Sequence, residues 1–161
     1  MSRIAFAALA LTLLLSACGA PREDGGGNRF SAAETDAIRL RHLDAVNAVR
    51  VQAGTGPMQL SAELNAAADT HARDMSIQKR AWHFGSDLTS PRERAFRAGY
   101  RGEIVGENIS EGADSDLTVL KSWLDFADTR DVILSPGARG LGLGWYQEPG
   151  GKIWWVQLVG E

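Results

Sequence analysis

Gly140-Leu-Gly-Leu-Gly-Trp145-Tyr-Gln-Glu-Pro-Gly-Gly-Lys-Ile-Trp-Trp-Val-Gln-Leu-Val159 decides the fold. Leu141, Leu143 and Trp145 alternate with Gly142 and Gly144, the period of a half-buried strand. Glu148-Pro149-Gly150-Gly151 is a turn. Lys152 to Val159 is rich in Ile, Trp and Val and reads as a second strand. The pair predicts a β-hairpin. Trp154 and Trp155 then point to opposite faces, so one is expected in a core and the other at the surface or as a ligand platform. A further short strand is expected near Ile104 to Ile109.

Upstream, the period becomes helical. Signals begin at Ser31, and Asp36 to Gln52 places Ile38, Leu40, Leu43, Val46, Val49 and Val51 on a broad apolar stripe. Gly54-Thr55-Gly56-Pro57 ends it. Ser61 caps a second helix with Leu64, Ala68, His71 and Met75 on one face. Ser90-Pro91-Arg92-Glu93 is a capping box that opens a short helix ending at Gly99. Asp114 or Ser115 can cap another, with Leu117, Leu120, Trp123 and Leu124 inward. Helices on a small antiparallel sheet predict an α+β domain, layered as an α/β/α sandwich.

The 161 residues suffice for one core and one domain. A net charge of −3 argues against nucleic-acid binding, which needs a basic excess. The first 29 residues read differently. Met1-Ser2-Arg3 is a positive head, and Ile4 to Leu15 is apolar apart from Thr12, too short to span a bilayer. Leu15-Ser16-Ala17-Cys18 resembles a bacterial lipobox. That resemblance implies a signal peptide over 1–17 and acylation of Cys18, palmitate included, so the partner would be the membrane itself. Gly19 after the cysteine favours the outer membrane, with the protein facing the periplasm. The alternative is an ordinary secreted leader beside a stray cysteine. Residues 18–30 read as lipidated cysteine plus flexible tether, with three consecutive glycines, and 31–161 as the domain.

Generic motifs are missing. No P-loop, dinucleotide loop, His-Glu-x-x-His or Gly-x-Ser-x-Gly occurs. Acylated Cys18 leaves no thiol for catalysis. Of three histidines, His42 reads as solvated or capping, and His71 as a hydrogen-bonded core residue. His83, in a loop after Trp82, is the better site candidate.

From Asn47 onward the chain resembles the CAP superfamily, whose domain is also called the SCP domain, in its short bacterial form. Val46-Asn47-Ala48-Val49-Arg50 and the exit to Leu60 resemble its opening helix. Leu64-x-x-x-Ala68-x-x-His71-Ala72-x-Asp74-Met75 resembles the second helix. His83-Phe84-Gly85-Ser86-Asp87, Ser90-Pro91, Arg94, Ala98-Gly99-Tyr100 and Gly106-Glu107-Asn108-Ile109 follow in family order, as do Trp123-Leu124, Leu141-Gly142-Leu143-Gly144 and Trp155-Val156-Gln157.

The resemblance implies the same α/β/α sandwich and a cleft of two histidines and two acidic residues, in some members holding zinc. His83 and Glu107 align with the first half of that tetrad. Thr129 stands where the second histidine belongs, and Gly140 where an acidic residue is common. Two protein ligands rarely hold zinc, so no metal and no cofactor are expected unless Asp125 or Asp128 substitutes. Glu107 reads equally as a site carboxylate or a buried structural one, and Asn108 as a bond to neighbouring backbone.

The expected function is a lipid-anchored cell-envelope binding module with a degenerate cleft at His83 and Glu107. Its ligands by resemblance are lipids, peptides or cell-wall components. The alternative is an envelope hydrolase of peptide or peptidoglycan, with His83 as base, Glu107 orienting it and Ser86 or Thr129 as hydroxyl. A purely structural domain is the third reading.

Overall fold

A computed structural model describes residues 30–161. The leader, Cys18 and all of the tether but its last residue lie outside the described residues.

Helix α1 spans Ala32–Gln52 and starts where the sequence predicts, with Ser31 and Glu34 forming a reciprocal capping box. Its buried face differs from the apolar stripe. Ile38, His42, Val46 and Arg50 point inward at four-residue spacing, while Leu40 and Val51 are exposed. His42 is therefore not solvated. Its imidazole lies on the Trp123 ring edge, with Nδ1 3.3 Å from the Asp116 carbonyl. Arg50 is wholly buried because its guanidinium serves four backbone carbonyls. Nε donates to Gly56 at 2.7 Å, Nη1 to Ile133 at 2.6 Å and Ser135 at 3.0 Å, and Nη2 to Ala138 at 3.2 Å.

Strand β1 (Gln59–Leu60) follows, then α2 (Ala62–Gln78), capped by Ser61. α3 (Pro91–Arg97) opens on the Ser90–Glu93 capping box. β2 is Ile104–Glu111, and α4 (Asp116–Asp125) is capped by Ser115 rather than Asp114. α5 (Ala127–Leu134) has no counterpart in the sequence reading, since it has no side-chain cap and only Ile133 is buried. β3 (Gly140–Gln147) and β4 (Ile153–Gly160) form the expected hairpin.

The sheet order is β1-β3-β4-β2. β4 pairs antiparallel with both neighbours, but two-residue β1 pairs parallel with β3, so the sheet is mixed. Beyond Leu141, β3 is an edge. Asn65 Oδ1 accepts the Leu143 N–H at 2.9 Å, and Arg39 Nε donates to the Leu143 carbonyl at 2.9 Å, which closes it against further pairing.

Helices cover both faces. Trp155, Val159 and Ile153 join the cluster under α1, α4 and α5, whereas Trp154, Val156 and Leu158 join the cluster under α2 and α3. Both tryptophans are core residues, because helices on both sides leave β4 no solvent face. Gly142 and Gly144 let α2 lie directly on β3: a Cβ on either would fall under 3.0 Å from the α2 backbone.

Candidate functional site

β2 sorts its residues by the two-residue strand period. Glu107 pairs with Leu158 and faces the α2–α3 layer. Asn108 pairs with Gln157 and faces the opposite layer, where its Nδ2 donates to the Thr129 carbonyl at 3.0 Å. Asn108 thus ties β2 to α5 rather than to neighbouring backbone.

Glu107 is the centre of the site. Its side chain is 1% exposed. Arg94 Nη2 donates to Oε2 at 2.6 Å, and His83 Nδ1 lies 3.0 Å from Oε1. A carboxylate paired with a guanidinium only accepts, so His83 donates from Nδ1. The His83 side chain is half-exposed, which makes it the solvent-reaching member of the cluster. His71 closes the cluster from α2. Its Nε2 donates to the Trp82 carbonyl at 2.9 Å and stands 3.8 Å from Glu107 Oε1. Burial pushes the His71 imidazole below its ordinary value; the Glu107 charge opposes this and Arg94 adds to it. His71 is a neutral core histidine, as expected, and also part of the site.

Arg94 is the residue whose importance the sequence does not reveal. The α3 capping box and Pro91 present it, and besides Glu107 its Nη1 donates to the carbonyls of Thr89 at 2.7 Å and His83 at 3.1 Å. One guanidinium fixes both the loop that carries His83 and the carboxylate that orients it. Its sequence signals are its place in the family order and its position four residues after Ser90 at a Ser-Pro helix start.

The remaining candidates are placed elsewhere. The Thr129 hydroxyl donates to the Trp123 carbonyl at 2.6 Å, on the Asn108 side of β2, across the strand from Glu107. Ser86 donates its backbone N–H to Asp74 at 2.7 Å. Among the described residues neither hydroxyl bonds His83. Asp125 pairs with Lys121 at 2.8 Å and Asp128 accepts the Thr129 N–H at 2.9 Å, so neither joins the cluster. Gly140 sits under Tyr100, away from Glu107.

These residues do not fit zinc. Both Glu107 oxygens are engaged, and Arg94 already supplies the positive charge a cation would bring. No group of three or more His, Cys, Asp or Glu among the described residues is placed to hold a metal. A groove of about 570 Å³ runs between α2, α3 and the turn at 86–89, lined in part by Ala67, Thr70, Ile77 and Arg97. It touches His71 and Arg94 but not His83 or Glu107, so groove and carboxylate cluster are neighbours rather than one chamber.

Two helical layers around a mixed sheet, with a His–carboxylate pair at its β2 edge, define an SCP-type domain. The model of the cysteine-rich secretory protein (CAP) family matches residues 43–159, and the chain belongs to that family. It is 27% identical over 125 residues to the uncharacterized protein YkwD of Bacillus subtilis, covering 78% of this chain and 48% of that one. The chain therefore spans about half the length of this curated relative.

Its fold resembles an extracellular SCP-domain protein from Bacillus anthracis, with TM-score 0.72 and 19% identity, covering 83% of this chain and 45% of the other. It also resembles an outer surface protein of Borrelia burgdorferi, with TM-score 0.73 and 14% identity, covering 84% and 98%. The short bacterial form is the one these comparisons match.

Proposed function

We propose that the chain is a lipid-anchored CAP-domain protein of the bacterial cell envelope. Its half-exposed His83, held by Glu107 beside the neighbouring groove, captures a ligand without turning it over. The observation that carries this reading is the double engagement of Glu107. A carboxylate held by Arg94 and His83 is an orienting group whose charge is already matched by a guanidinium, and among the described residues no hydroxyl nucleophile stands against the imidazole. His83 Nε2 remains as a solvent-facing acceptor for a hydroxyl or amide N–H. The lipobox at Cys18 and the extracellular and surface descriptions of the similar proteins support an envelope location, with the outer membrane as the proposed site of anchoring.

The test is equilibrium binding of purified peptidoglycan fragments, with mass spectrometry of the same mixtures. Saturable binding without new products, lost in His83→Ala, is expected. Failure of these fragments to bind would remove the cell-wall reading of the ligand. Labelled palmitate should enter the chain in a producing bacterium and be lost in Cys18→Ser.

The hydrolase reading keeps one favourable observation, the 3.0 Å His83–Glu107 bond with Nε2 free, which is a base and its orienter. Here the attacking group would be water. Product formation abolished by His83→Ala would replace the binding reading with this one.

A further inference from the structure

We infer that the turn tipped by Leu88, together with Phe84, Ile77 and Trp82, is a docking surface for an anionic lipid bilayer. Leu88 has φ +63° and is 75% exposed. The left-handed region is costly for leucine and easy for glycine or asparagine. A residue that is both strained and apolar at an exposed tip gains nothing for the fold from either property. Phe84 and Ile77 are exposed beside it at 48% and 71%, although Gln78 and Asp74 of α2 hold the turn firmly through the Phe84 carbonyl and the Ser86 N–H. Trp82 lies 5.7 Å from Phe84, with the Arg80 guanidinium stacked on its outer face at 4.2 Å. Apolar tips backed by tryptophan and arginine suit the boundary between headgroups and acyl chains.

Charge points to the same occupant. Residues 73–101 carry seven Arg or Lys; Lys79, Arg92, Arg94 and Arg97 pair with Glu148, Glu103, Glu107 and Asp87, while Arg73, Arg80 and Arg101 stand outside the ion pairs of the described residues, Arg80 on the Trp82 ring. Cations that no carboxylate neutralises are drawn to anionic headgroups. The chain enters the fold at the same end of the strands, on the α1 face of the sheet. Phe30 packs on Trp145 near the end of β3, and the adjoining β-turn is tied to the α2 C-terminus by Glu148, which accepts from Ser76 and Lys79 at 2.9 Å each. The preceding stretch, Gly19-Ala-Pro-Arg-Glu-Asp-Gly-Gly-Gly-Asn-Arg29, has almost no apolar side chains with which to cover the patch itself. The orientation rests on the lipid-anchored reading, in which Cys18 brings this end to the membrane, and the docking surface adds a second contact to the anchor.

Both hydrophobic clusters are built from residues 30–161, so the surface can be tested without the anchor. The chain from Cys18 onward, carrying Cys18→Ser, is sedimented with vesicles of phosphatidylglycerol and phosphatidylethanolamine, and with phosphatidylcholine alone. Binding to the anionic vesicles only is expected. Leu88→Asn should weaken it about tenfold while leaving the thermal midpoint unchanged or raised. No sedimentation with either vesicle overturns the proposal, as does Leu88→Asn binding as tightly as the parent chain. Palmitate labelling of the full chain reports on the anchor separately, so the two readings fail by different observations.

Discussion

The two faces of the sheet use buried polar groups in opposite ways. Under α1, Arg50 and Asn47 spend their hydrogen bonds on backbone, Asn47 exchanging bonds with both ends of the Met58 peptide at 3.0 and 2.8 Å. Asn108 and the His42 ring likewise meet carbonyls. Such bonds hold loops in place. Under α2 and α3, Arg94, Glu107 and His83 bond one another, and the chain of partners ends at a half-exposed imidazole. A buried polar group that ends on backbone is architecture; one that ends on a side chain reaching solvent is a candidate site.

The strongest break in the comparison is expected at the α2–β3 contact, on which the site layer rests. Gly144→Val should cost at least about 3 kcal/mol, because its Cβ meets α2 backbone and no rotamer relieves that. Gly56→Ala, with open space around it, should leave chemical denaturation midpoints nearly unchanged.

Glu107→Gln and Arg50→Met are next, each expected to cost about 3 kcal/mol. The first strands the buried Arg94 charge, and the second leaves buried carbonyls without donors. The division of labour is sharpened by a second readout. The His83 ring signals in NMR should change in Glu107→Gln, as the tautomer loses its orienting carboxylate, and stay put in Arg50→Met. Matching shifts in both would erase the distinction between the faces.

Acid should weaken both layers through a shared cause. Burial pushes His42 and His71 below the ordinary value of 6.5, so the unfolded chain takes up these protons first. Their contribution is complete above about pH 6.5 and is lost as pH falls toward the folded values. Urea denaturation should therefore show stability declining below that pH, with a shallower decline in His42→Gln.

Within the site cluster, the smallest stability effect is expected at His83. Its half-exposed side chain should be replaceable by alanine for less than about 1 kcal/mol, while ligand capture is lost. A cost of several kcal/mol in a thermal melt would mark His83 as architecture and dissolve the contrast.

Much of this was legible in order along the chain. Ser31, Ser61, Ser90 and Ser115 announced four helix starts, because a cap is a local hydrogen bond between residues three apart. The hairpin followed from alternation around Glu148-Pro-Gly-Gly. His83 was legible as a loop histidine, but its pairing with Glu107 only through family order, since 24 residues separate them. His42 and Arg50 were hidden within an apolar stripe. α5 lacked a cap, and β1 exists only because β3 supplies its hydrogen bonds.

The sequence alone determined the four capped helices, the hairpin and the family resemblance, because caps, turns and hydrophobic period act between near neighbours. Only the tertiary structure decided which polar residues form a site. That depended on strand register, which sent Glu107 and Asn108 to opposite faces, and on Arg94 reaching across from α3 to join the His83 loop to the carboxylate. Bonds of this kind follow from how the layers stack, and no spacing along the chain records them.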